Sequence, residues 1–203
     1  MKKSLAKVLM HYNSANSLAL FTREILANPR AMGAPCPSAP LLASCMASLV
    51  PIDRDGIILE VGGGTGAVTA ALLKHGIQPS RLIVVERSPH LAVHLRQRFS
   101  QIQHIVQGDA AKLEQLLGSL NISNKVSSIV SSLPLRSLHL ATTRAISEQF
   151  ETVLDAGGLL IQFTYDLRGG NRTRFLHGFK RLSSKIIWGN LPPARVEVFE
   201  RQV

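Results

Sequence analysis

The segment Glu60-Val61-Gly62-Gly63-Gly64-Thr65-Gly66 is the part of this sequence best suited to hold a ligand. It follows an apolar β-rich run at 56–61 and precedes a helical pattern at 65–75, so its glycines fall on a strand-to-helix turn. Glycine there permits positive φ and lets a ligand approach the backbone, and the first N–H groups of the helix face whatever binds. The spacing is GxGxG. A dinucleotide fold usually wants GxGxxG and a phosphate P-loop ends in Gly-Lys-Ser/Thr, so both of those readings drop.

Two more strand ends carry matching chemistry. Glu86, with Arg87 beside it, closes the run 81–86, where an acidic residue of a doubly wound fold can accept hydrogen bonds from ribose hydroxyls. The next run ends at Gly108-Asp109-Ala110, offering a carboxylate to an adenine amino group and the Ala110 N–H to a ring nitrogen. Singly, Glu86 could be a helix-start carboxylate and Asp109 a helix N-cap. In register, the three ends describe an adenosine-shaped site at the switch point of a sheet. A fourth run delivers Ser131-Ser132-Leu133-Pro134-Leu135 to the same edge.

Positioning these residues takes an α/β fold. Strands are expected at 56–61, 81–86, 103–106, 126–131 and 158–165, alternating with helices at 65–75, from Pro89 after the cap Ser88, at 110–117 and at 138–154. A loop holding Gly169-Gly170, a short helix near 172–179 and two more β-rich runs, 182–188 and 194–201, follow. The tight 189–193 connection suits an antiparallel hairpin, completing a doubly wound, seven-stranded, mostly parallel Rossmann-like sheet with one reversed strand. Ahead of it, 1–50 reads as N-terminal helices, the third opening at the cap Ser38, and 51–203 as the domain proper. In the first helix Leu5, Val8, Leu9 and Tyr12 share a face away from Lys2, Lys3 and Lys7, a basic amphipathic pattern that fits a membrane surface or a lid over the cleft.

The glycine loop, Glu86 and Asp109 together resemble the class I S-adenosylmethionine-dependent methyltransferases over roughly 56–165. The resemblance implies that Glu60 and the glycines hold the methionine part and ribose, Glu86 the ribose diol and Asp109 the adenine. Four further motifs look like the bacterial phospholipid N-methyltransferases, which methylate phosphatidylethanolamine: Gly33-Ala34-Pro35-Cys36-Pro37-Ser38, Ser-Leu-Pro-Leu at 132–135, Gln162-Phe163-Thr164-Tyr165 and Asn190-Leu191-Pro192-Pro193-Ala194-Arg195. One departure is that the family commonly has Gly-Pro-Gly where Gly62-Gly63-Gly64 stands. In this reading Ser131, Ser132 and the carbonyls near Leu133 and Pro134 orient an amine at the methyl group. Tyr165 and Arg195 bind the lipid phosphate.

Composition bounds these expectations. The chain has 203 residues and a net charge of +10. Residues 1–30 carry five Lys/Arg against one acid, 31–165 ten against nine, and 166–203 eight against three, so the excess sits at the two ends. A basic periphery fits an anionic membrane or a nucleic acid. No apolar run is long enough to span a bilayer, and Cys36 and Cys45 match no disulfide or zinc pattern, so a cytoplasmic protein peripheral to the inner membrane face, and a monomer, is expected. His90 and His94 lack a third metal ligand, and no metal is expected. The rival enzyme reading is the ribosomal RNA adenine dimethylase type, which shares a signature like Gln107-Gly108-Asp109-Ala110 but places an aromatic where Leu135 stands. A cofactor-binding protein without catalysis is the third reading.

Overall fold

The computed structural model describes residues 40–122, 125–167, 176–190 and 192–203. The amphipathic pattern near the N-terminus, the motif 33–38 and the Gly169-Gly170 loop lie outside them.

Seven strands form one sheet: β1 (Ile57–Val61), β2 (Leu82–Glu86), β3 (His104–Gln107), β4 (Val126–Ser131), β5 (Leu154–Thr164), β6 (Phe179–Ile187) and β7 (Ala194–Arg201). Their order is β3-β2-β1-β4-β5-β7-β6. The first five pair in parallel, while β7 runs antiparallel to both β5 and β6. Two reversals bring β6 back to the direction of β5, so the end of β6 and the start of β7 lie on the carboxyl edge. Chain reversal between β1 and β4 leaves a crevice at that edge.

Among the described residues five α-helices accompany the sheet: α1 (Pro40–Ser48), α2 (Ala67–His75), α3 (Pro89–Arg98), α4 (Leu113–Ser119) and α5 (Leu140–Val153). Strands β1, β2 and β4 are buried along their whole length, as sheet strands covered on both faces must be. One face carries Ile58, Val84, Val130, Ile161 and Val198 against α1 and α2; the other carries Leu59, Ile83, Ile129, Leu160 and Phe199 against α4 and α5. Helix α1 buries Leu42, Ala43, Met46 and Ala47 in the first of these layers. Residues 40–48 therefore share the core of the domain that the sequence reading begins at 51.

Local differences from expectation have local causes. Strand β5 starts at Leu154 rather than 158, because Leu154 pairs with Val126 before the register shifts to Ser128 opposite Leu159. The crossover after β3 opens as a 3-10 turn, Ala110–Lys112, because the Asp109 carboxylate accepts the Ala111 N–H at 3.0 Å. Of the short helix expected near 172–179, the described residues form a turn, with the Phe179 N–H donating to the Leu176 carbonyl at 3.2 Å as β6 begins.

Candidate functional site

Glu60 and the glycine loop stand at the carboxyl end of β1, at the crevice between β1 and β4. The loop is held down by its own backbone, with the Gly62 N–H on the Val85 carbonyl at 2.8 Å and the Gly66 N–H on the Gly63 carbonyl at 2.9 Å. Gly66 sits at φ +84, and a Cβ there would stand 2.3 Å from the Phe99 ring. Gly64 also has positive φ, +55, but a Cβ there meets nothing closer than the Gly62 carbonyl oxygen at 4.0 Å. One glycine is needed for packing beneath the loop, the other for backbone shape on its open side.

Glu86, at the end of β2, is buried and ties this loop to the next helix. Its Oε2 accepts the Gly64 N–H and its Oε1 the Ser88 N–H, both at 2.8 Å. Arg87 follows as an exposed residue. Ser88 caps α3 as expected, accepting the Leu91 N–H at 3.3 Å.

Glu60 is fully buried, and among the described residues no donor meets either carboxylate oxygen in strict hydrogen-bond geometry. Burial pushes its pKa up to about 8; the nearby Glu86 charge adds to the rise and Thr69, in α2, opposes it. A carboxyl in that state is stabilised by a cation or an N–H donor brought into the crevice. Asp109 is the N-cap of the 3-10 turn, and Ala110 behind it is buried. With Gly108, these residues place an acceptor at the end of β3, beside Glu86: the Gly108 N–H donates to the Glu86 carbonyl at 3.0 Å.

The loop after β4 abuts the glycine loop. The Ser132 N–H donates to the Val61 carbonyl at 2.9 Å, and a Cβ on Gly62 would lie 3.0 Å from Leu133. Ser131 is fully buried, its hydroxyl 3.4 Å from the Leu133 N–H. The Ser132 hydroxyl is buried without a partner among the described residues. The Leu133 carbonyl, one of the acceptors expected for an amine, is instead saturated: it takes the Leu135 N–H at 2.9 Å and the Gln162 amide at 2.8 Å. The Pro134 carbonyl accepts the Ser137 N–H at 2.8 Å.

Tyr165 and Arg195, expected to share one phosphate, lie on opposite faces of the sheet. Tyr165 packs edge-on to Phe163, with ring centroids 5.4 Å apart, on the α1 side. Arg195 pairs with Thr164 across β5 and β7, and its neighbours Ala194 and Val196 bury on the α1 side, so its own side chain takes the other. There its guanidinium bonds the Leu167 carbonyl and reaches the Ser184 hydroxyl at 3.5 Å.

Two supporting roles escaped the sequence reading, which held Gln162 only as part of the motif 162–165 and did not single out Arg98. Gln162, inside an otherwise apolar strand, donates from one amide nitrogen to the Leu133 and Phe163 carbonyls, each at 2.8 Å, fixing the loop after β4. A buried polar residue interrupting an apolar run was the signal. Arg98 donates to the Thr65 carbonyl at 2.6 Å while its guanidinium lies 5.0 Å over the Phe99 ring, supporting the glycine loop from below. Nothing local in the sequence marks that bond, which joins residues 33 apart. Among the described residues no cluster of His, Cys, Asp or Glu is arranged to hold a metal ion, and no described helix is long and apolar enough to cross a membrane.

Comparison with known proteins agrees with this geometry. The family model of protein-L-isoaspartate(D-aspartate) O-methyltransferase matches residues 26–115. An ornithine lipid N-methyltransferase of Singulisphaera acidiphila is 29% identical over 147 residues, covering 71% of this chain and 76% of that protein. Among solved structures, TrmN from Thermus thermophilus superposes with a TM-score of 0.63 at 20% identity, over 80% of this chain; the chain spans about half of TrmN, 48%. The N-methyltransferase NodS from Bradyrhizobium japonicum, solved with S-adenosylhomocysteine, gives 0.59 at 18% identity over 79% of this chain and 83% of NodS. The sheet order and these superpositions show that the chain has the Rossmann-like fold of the class I S-adenosylmethionine-dependent methyltransferases.

Proposed function

We propose that the protein methylates the amino head group of a membrane lipid, phosphatidylethanolamine or its partly methylated forms, at the inner face of the cell membrane. The observation that carries this reading is the 29% identity to an ornithine lipid N-methyltransferase across 147 residues. Both lipids present an amine close to an anionic group, and the basic C-terminal stretch 166–203 suits such a substrate.

Bound S-adenosylmethionine supplies an electrophilic methyl group on a sulfonium. The chain's task is then alignment and exclusion of water, since one positive charge moves from sulfur to nitrogen and no strong acid or base is required. A primary ammonium has a pKa of ~10.4 in water and must lose a proton to become a nucleophile, which a weakly polar pocket favours. The unpaired Ser132 hydroxyl is the acceptor for an amine N–H, pointing the lone pair toward the methyl group. Ser131, Leu133 and Pro134 hold the loop in shape through their own bonds. Arg195 offers its remaining donors to the lipid's anionic group, and Tyr165 lines the opposite side of the entrance as an aromatic wall.

The RNA reading places a stacking side chain at 135. Leu135 is buried in the layer beneath α5 and presents no platform. Labelled cofactor incubated with phosphatidylethanolamine vesicles, ornithine-lipid vesicles and ribosomal RNA separates the readings. Label in phosphatidylethanolamine supports the proposal; label confined to ornithine lipid corrects the substrate; label in RNA, or in none of the three, refutes it.

A further inference from the structure

The rim of the carboxyl edge is exposed, apolar and basic where it adjoins the β6–β7 turn. Trp188, the only tryptophan of the chain, follows β6 and is 70% exposed. Leu41, in the first turn of α1, is 60% exposed and so close to that turn that a Cβ on Gly189 would stand 2.7 Å from it. Lys185 is exposed on the same side of the sheet, near enough to Cys45, one turn along α1 from Leu41, to act on its thiol electrostatically. Leu140, 53% exposed, opens α5 at the same edge after the 131–135 loop. Strand β6 itself is nearly all exposed, and of its basic residues Lys185 stands at the rim end, whereas Lys180 and Arg181 lie at the far end, Arg181 paired with Glu197 at 3.1 Å.

We propose that this rim, with Trp188 and Leu41 as apolar anchors and Lys185 beside them, is the surface that docks on an anionic phospholipid bilayer. The proposal rests on the lipid reading above and says where the membrane sits. An amphipathic aromatic beside a lysine is a combination that partitions into the head-group region, the ring among the upper acyl chains and the cation against lipid phosphates. Topology supplies the second argument. The sequence of strands from β4 to β6 is β4-β5-β7-β6, so three spacings of ~4.8 Å put the anchor roughly 14 Å from the loop that receives the amine. A bilayer at the rim lies alongside the crevice, and a head group reaches it without the lipid leaving the membrane.

Because Trp188 is unique, its fluorescence reports this surface alone. Full-length protein is titrated with phosphatidylglycerol vesicles, with and without brominated acyl chains. Docking predicts a blue-shifted emission that bromines quench, partitioning about fivefold weaker for Lys185→Gln and weaker again for Trp188→Ser by sedimentation, with cofactor affinity unchanged in both variants. Sedimentation with vesicles while the emission stays unshifted and unquenched overturns the assignment, because the bilayer then touches another surface. Emission already blue without vesicles also overturns it: growth with protein concentration identifies a second copy of the chain as the occupant, and independence of concentration identifies the chain's own N-terminal segment. Methyl transfer to detergent-dispersed phosphatidylethanolamine with no docking signal removes this proposal and leaves the function; docking without transfer to any amine lipid does the reverse.

Discussion

Glu86 accepts the Gly64 N–H at 2.8 Å, so the residue expected to read the ribose also sets the shape of the loop beneath the cofactor. Its second oxygen is committed to the Ser88 N–H. Both oxygens face donors, and an amide in its place would turn an NH₂ against one of them. Glu86→Gln and Glu86→Ala are therefore both expected to weaken S-adenosylhomocysteine binding at least tenfold, on the scale of hydrogen bonds to charged groups at ~1.5–3 kcal/mol each. Calorimetric titration of the two variants checks this, and a Gln variant binding like the wild type would contradict it.

Glu60 makes stability depend on pH in an unusual direction for a carboxyl. Its pKa rises from 4.5 to about 8 on folding, so between those values the folded state holds a proton that the unfolded state has released. The contribution is complete below pH 4.5 and is lost as pH climbs through 8, roughly 5 kcal/mol. Denaturation across that range should show the unliganded wild type losing stability relative to Glu60→Gln, whose neutral amide has nothing to titrate. Parallel curves for the two proteins would refute the buried, protonated state.

Two glycines of the same loop should answer differently to alanine. Gly66→Ala meets the Phe99 ring at 2.3 Å with φ at +84, and overpacking with backbone strain costs about 2–5 kcal/mol. Gly64→Ala meets open space and pays only for φ +55, about 1 kcal/mol. Thermal unfolding should rank Gly66→Ala well below Gly64→Ala, whereas Gly64→Ala should lose cofactor affinity out of proportion to its small loss of stability.

Arg195→Ala should raise the apparent KM for lipid about tenfold or more while leaving the cofactor dissociation constant within about twofold, the scale of one charge-assisted contact. Its bonds to Leu167 and Ser184 lie at the β5–β7 side of the edge, away from the glycine loop. Equal losses for lipid and cofactor would remove Arg195 from substrate binding.

The sheet was legible because each strand is a short apolar run and each crossover has its own start signal, as at Ser88-Pro89. The strand tips expected to line the crevice were legible for the same reason: Glu60, Glu86 and Asp109 lie at or next to the ends of β1, β2 and β3, where only the order of runs must be known. What the sequence hides depends on register across distant strands. That Arg195 stands opposite Thr164, on the face away from Tyr165, follows from how β7 pairs with β5, and the bond from Gln162 to the Leu133 carbonyl joins residues 29 apart. Pairing register is set by hairpin length and bulges in the folded sheet, and motif spacing carries no trace of it.

The most direct measurement is a calorimetric titration of the full-length protein with S-adenosylmethionine at pH 7 in two buffers of different ionisation enthalpy. A crevice holding Glu60 protonated until the cofactor's ammonium arrives predicts saturable one-to-one binding with release of a proton, visible as a buffer-dependent heat. No binding to S-adenosylmethionine or its demethylated product would contradict the account at its root, whatever lipid the protein was offered.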